Sequence, residues 1–211
     1  MKKGTIRTIA AVTLLIIAIF SLISLIYIRE GVIEPSIPRR TKNETIEPPT
    51  IERTELENKT HVLINQERQR ENLNDLEWNG SLASVARDHS QYLANLEENH
   101  GYQQDQEIYI SHTGEQGGKH NDRMERAGIT HIGISAENVA GISSVKEIDS
   151  ETREPVSYLN KTQIAERSVE GWMDSPGHRE NIMNPEFEQT GIGIATDPEN
   201  TNYILTQIFT D

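Results

Sequence analysis

Three short stretches carry side chains whose types could do chemistry. Ser111-His112 closes a polar, irregular run over 97–111. Glu137 sits in Ala136-Glu137-Asn138-Val139, a carboxylate inside an otherwise apolar segment. The third stretch runs Trp172-Met-Asp-Ser-Pro-Gly-His178-Arg-Glu-Asn-Ile-Met. There Pro176 suits the start of a short helix, and His178 would project from its first turn. A histidine at a helix N-terminus tends to stay neutral, because the dipole disfavours added positive charge. A neutral imidazole can ligate a metal or serve as a base. The gaps, 25 residues from His112 to Glu137 and 41 from Glu137 to His178, form no local ligand motif. Taken singly, a buried glutamate is more often a hydrogen-bonded structural group than a catalyst.

Other chemistries find no support. No Gly-x-Ser-x-Gly elbow, His-Glu-x-x-His helix or phosphate-binding glycine loop occurs. The chain has no cysteine, which excludes disulfides and thiolate metal sites. Its formal charge is -13, and Lys2, Lys3, Arg7 and Arg29 against Glu30 give the first 30 residues +3, leaving -16 for the rest. Such a surface is repelled by polyphosphate, so no nucleic-acid partner is expected.

The elements that must position these residues can be read from periodicity. A first helix is expected over about 55–71, with Leu56, Leu63 and Ile64 inward and Glu67, Arg68 and Arg70 toward water. A second starts at Ser81 as N-cap and carries Leu82, Val85, Ala86, His89, Leu93 and Leu96 on one stripe. His89 on that stripe reads as a core histidine. A short helix over 119–127 ends at Gly128, and Ile132–Val139 reads as a strand. Residues 141–160 read as a loop, followed by an amphipathic helix over 161–174. Gly191-Ile-Gly193-Ile-Ala and Tyr203–Phe209 read as strands, the latter with both faces partly apolar, as in a strand covered on two sides. Helices first and strands late make this an α+β layered domain.

Ahead of it, Ile9–Ile28 is an uncharged run of 20 residues, long enough to span a hydrocarbon core. Lys2, Lys3 and Arg7 precede it, and no small-x-small cleavage site follows. Residues 1–28 are therefore expected to be an uncleaved signal anchor, a single transmembrane helix with the following domain extracytoplasmic. Pro35, Pro38, Pro48 and Pro49 lie in 29–54, which reads as a disordered tether, leaving 55–211 as the folded domain. Asn43, Asn58, Asn79 and Asn160 open glycosylation sequons.

Taken in order, the short motifs resemble the CAP (SCP-like) superfamily of cysteine-rich secretory, antigen 5 and pathogenesis-related proteins, in its prokaryotic form. The matching pieces are Asn65-x-x-Arg68, Leu76-x-Trp78, Ala83-x-x-Ala86, Ser111-His112 and Arg123-x-x-x-Ala127-Gly128. Glu137-Asn138-Val139, Trp172 with Ser175-Pro-Gly-His178-Arg, Gly191-Ile-Gly193 and the closing Tyr203–Phe209 strand complete the set. The resemblance implies a three-layer α-β-α sandwich with a cleft of two histidines and two acids. His112, Glu137 and His178 would fill three positions, and would suit zinc or another divalent cation. The family's second acid falls at Ser175, with Asp174 or Glu170 as substitutes. Three functions remain in view. One is a binding module for a cation or a cell-envelope glycan, lipid or protein. Another is a metal-assisted hydrolase with His112, Glu137 and His178 as its catalytic set. The third is a structural surface protein.

Overall fold

The computed structural model describes residues 46–99, 110–130 and 132–211. The expected anchor over 1–28 and most of the expected tether lie outside them; among the described residues no helix is long and apolar enough to cross a membrane. From Ile46 onward the chain forms one compact unit. The last part of the expected tether belongs to it, because Ile51 packs on the core.

Among the described residues, helices α1 (Arg53–Arg70), α2 (Gly80–Asn99), α3 (His120–Arg126), α4 (Lys161–Asp174) and α5 (Pro176–Met183) surround six strands. These are β1 (Glu77–Trp78), β2 (Ser135–Ser143), β3 (Val145–Ile148), β4 (Pro155–Tyr158), β5 (Gln189–Thr196) and β6 (Asn202–Thr210). The main sheet has the order β1-β5-β6-β2. β1 runs parallel to β5, and the other pairs are antiparallel. β6 is buried along its whole length, as its two apolar faces required. One face sends Tyr203, Leu205 and Phe209 into a core with Leu56, Ile164 and Trp172 of α1 and α4. The other sends Ile208 and Ile204 toward Leu82, Val85 and Leu93 of α2. Helices therefore cover both faces, the layering expected of an α+β sandwich.

The glycines of β5 set how closely α2 approaches. A Cβ at Gly191 would stand 2.1 Å from the amide nitrogen of Ala83, and one at Gly193 2.0 Å from that of Arg87. Only glycine lets helix backbone rest directly on strand backbone here.

Four local expectations are corrected. The α2 cap is Asn79, not Ser81: its Oδ1 accepts from the amides of Ser81 (2.9 Å) and Leu82 (3.2 Å). Arg68 does not face water but is 1% exposed. Its guanidinium donates to the carbonyls of Asn74 (2.7 Å), Ile182 (2.7 Å), Asn184 (2.9 Å) and Phe187 (3.3 Å), tying α1 to the α5–β5 turn. Part of 141–160 is not loop: β3 and β4 form a hairpin. The strand expected over Ile132–Val139 starts later, at Ser135, and runs on to Ser143. Two sequon side chains are also committed, Asn79 as the α2 cap and Asn160 as the α4 cap.

Candidate functional site

β2 is an edge strand, and Glu137 lies near its start with a side chain 1% exposed. A bare carboxylate there would be costly. Two partners occupy it. Arg123 of α3 binds Oε2 through Nη2. His112 donates from Nδ1 to Oε1 at 2.9 Å. Arg123 also donates from Nη1 to the His112 carbonyl at 3.1 Å, so one guanidinium holds both the acid and the backbone beside it. Burial pushes the Glu137 carboxyl up, but the His112 hydrogen bond and the Arg123 charge together outweigh it and hold the group below its ordinary value.

α3 can present Arg123 because its end is well specified. Gly128 adopts φ +77°. The amides of Gly128 and Ile129 then close on Glu125 (2.9 Å) and Met124 (2.9 Å), a glycine-terminated helix end. Gly114 leaves room for the same arginine, since a Cβ there would come within 3.1 Å of Arg123 Cδ.

The third expected residue is brought in by α5. Pro176 starts that helix, as its fixed φ favours. Asn138, fully buried next to Glu137, donates from Nδ2 to the His178 carbonyl at 3.1 Å. Asn181 donates to Asn138 Oδ1 at 2.8 Å, which ties α5 to the strand edge. The rings of His112 and His178 then stand 6.5 Å apart, centroid to centroid. His178 is held below its ordinary pKa, first by burial and then by the neighbouring His112.

The expected ligand triad does not assemble as three equal donors. Both Glu137 oxygens are engaged, so this carboxylate supports His112 from behind and is not a free ligand. Asp174 and Glu170 are exposed. Among the described residues no group of three or more histidines and acids is gathered to hold a metal ion. What fits a divalent cation is a pair of imidazoles. A carboxylate only accepts, so His112 Nδ1 carries the proton, and Nε2 keeps its lone pair in the neutral ring. A carboxylate behind a ligating imidazole is a common outer support of metal sites.

Sequence reasoning missed three members. Arg123 appeared only as a motif position, although an arginine is the natural partner for a carboxylate read as buried. Asn181 gave no signal beyond standing three residues after His178. His120 comes close enough for its ring to meet Ser135 Oγ at 3.2 Å, and burial lowers its pKa. His89 is buried as expected, with Nε2 bonded to the Ser111 carbonyl at 2.8 Å, but its Nδ1 has no partner.

Fold and site together define a helix–sheet–helix domain that presents paired histidines at a sheet edge. The family model of CAP, the cysteine-rich secretory protein family, matches residues 62–209, and the chain belongs to that family. Similar curated proteins come from Bacillus subtilis (strain 168). The uncharacterized protein YkwD is 27% identical over 159 residues, 75% of this chain and 49% of YkwD. The uncharacterized membrane protein YlbC is 28% identical over 142 residues, 67% of this chain and 32% of YlbC. The chain thus spans half or less of these relatives. Among solved structures, an extracellular SCP-domain protein from Bacillus anthracis str. Ames aligns with TM-score 0.52 and 24% identity, covering 75% of this chain and 41% of that one. An outer surface protein from Borrelia burgdorferi aligns with TM-score 0.54 and 22% identity, over 78% of this chain and 98% of that one. At these identities the structures support the fold alone.

Proposed function

We propose that this chain is a membrane-tethered, extracytoplasmic binding module whose site is the His112–His178 cleft. The observation that carries the reading is the engagement of Glu137. Because it takes His112 Nδ1, the neutral ring keeps a lone pair at Nε2, and His178 stands opposite in a neutral state. The cleft therefore offers two electron-pair donors. It suits a divalent cation or a hydrogen-bond donor on an envelope glycan, lipid or protein. The apolar run over 9–28 supports the tether, as does the membrane description of the relative YlbC.

The same engagement weighs against the hydrolase reading. Glu137 is pinned between Arg123 and His112, and a base so stabilised in its charged form is a poor acceptor for a water proton. A purely structural role would leave the exposed half of His112 without purpose, since its side chain is 52% exposed.

The test is calorimetric titration of the intact chain with zinc near neutral pH. Binding at one ion per chain, lost in His112→Ala and in His178→Ala and only weakened in Glu137→Gln, is the expected result. Equal binding in wild type and both histidine variants would remove the cleft as the site.

A further inference from the structure

The two imidazoles of the cleft are mounted differently. His178 rides on α5, which is fixed from several sides. Asn138 donates to the His178 carbonyl and accepts from Asn181, and Arg68 donates to the carbonyls of Ile182 and Asn184. His112 rides on 111–118, Ser-His-Thr-Gly-Glu-Gln-Gly-Gly, which belongs to no helix or strand and contains no hydrophobic side chain. Its backbone hydrogen bonds are internal: the Gly114 amide donates to the Gly118 carbonyl at 3.1 Å, and the Gly117 amide to the Gly114 carbonyl at 2.9 Å. Among the described residues no backbone bond joins this segment to the sheet or to α2.

Side chains from the body hold this strap instead. His89 of α2 donates from Nε2 to the Ser111 carbonyl at 2.8 Å. Arg123 and Arg126 of α3 donate to the carbonyls of His112 at 3.1 Å and of Gly117 at 3.4 Å. The fourth hold is the His112 ring itself, on Glu137. Segments with few buried apolar contacts are the ones that open locally while the rest stays folded. Gly117 and Gly118, at φ +70° and +80°, put glycine freedom at the junction with α3, where such an opening can turn.

The spacing of the rings shows a site standing open. Two imidazoles sharing one tetrahedral ion, with bonds of about 2.1 Å, keep their ring centroids about 5 Å apart. Those of His112 and His178 are 6.5 Å apart, so roughly 1 Å of approach is needed. α5 is pinned, so the strap supplies it. We infer that the 111–118 strap is the moving jaw of the cleft: it opens locally while the fold stays native, and a divalent cation bridging His112 and His178 draws it shut against α5. The inference rests on the cleft reading and adds to it the part of the chain that moves.

The experiment is hydrogen–deuterium exchange by mass spectrometry on the intact chain, with and without zinc, beside the calorimetric titration. Without zinc, the amides over 113–118 are expected to exchange at least about a hundredfold faster than those of β6. Opening breaks the bridge, so zinc at about ten times its Kd should slow them about tenfold, with β6 unchanged. The His112 side chain is 52% exposed, so His112→Ala keeps the fold; its strap should exchange about tenfold faster than the wild type's, with no zinc effect. In His178→Ala zinc should also fail to slow the strap. Strap amides as slow as β6 in the zinc-free protein, or zinc slowing that survives in His178→Ala, would overturn the inference. Zinc bound in the calorimeter without slowed exchange would overturn it too and leave the cleft reading standing. No zinc bound would overturn both.

Discussion

Replacing Arg123 by methionine removes the cation that keeps Glu137 ionised. The side chains of Arg123 and Glu137 are 9% and 1% exposed, so solvent screens little of the loss. Breaking a buried pair by deleting one partner typically costs about 3–5 kcal/mol. His112 still donates to the carboxylate but is half-exposed, so the low end of that range, about 3 kcal/mol, is expected. With a urea slope of roughly 2 kcal/mol/M, the midpoint falls by about 1.5 M. Without Arg123 the burial effect on Glu137 is opposed by His112 alone, so the carboxyl is expected to take up a proton more readily. The single variant should therefore regain stability relative to wild type as pH falls from 7 to 5. Adding Glu137→Gln removes the stranded charge, and the double variant should be less destabilised than the sum by about 1–2 kcal/mol. Urea melts of the four proteins at both pH values are the assay. A loss under about 1 kcal/mol for Arg123→Met, or additive losses in the double variant, would refute the role of Arg123 in holding Glu137 ionised.

Three further outcomes follow from the packing and the titrating groups. Gly193→Ala drives a methyl into the α2 backbone, which has no flexible end to yield, so it should cost about 3 kcal/mol or more in a urea melt. Arg68→Met should cost about 3 kcal/mol and loosen the α5–β5 turn, visible as faster amide exchange over 182–188, because four carbonyls lose their donor. Burial lowers the folded pKa of His89, His120 and His178, so the unfolded chain binds more protons on acidification and stability falls as pH drops below about 6.5. Glu137, also lowered, adds a further loss as pH falls through the carboxylate range, so a pH series of melts should decline monotonically from pH 7 to 4.

Much of the fold was legible because its signals are local. The α2 stripe, the Gly128 stop, Pro176 at a helix start and the two-sided β6 strand each state their conformation within a few residues. The family motifs joined His112, Glu137 and His178, which spacing alone could not do. Three things were not legible, two because they depend on partners distant in sequence and one because its local pattern is irregular. Arg68 looks like a surface charge until the carbonyls at 182–187 come within reach. Glu137 looks like a ligand until Arg123 and His112 take its oxygens. The β3–β4 hairpin has irregular register, so its alternation was broken in the sequence too.

The central claim is that Glu137 fixes the ring of His112 so that Nε2 faces the cleft with a free lone pair. Imidazole ¹⁵N NMR of the intact chain, at a pH where His112 is neutral, tests it directly. A protonated Nδ1 and an unprotonated Nε2 on His112, with that preference lost in Glu137→Gln, is the expected result. A proton resident on Nε2 in the wild-type protein would contradict it.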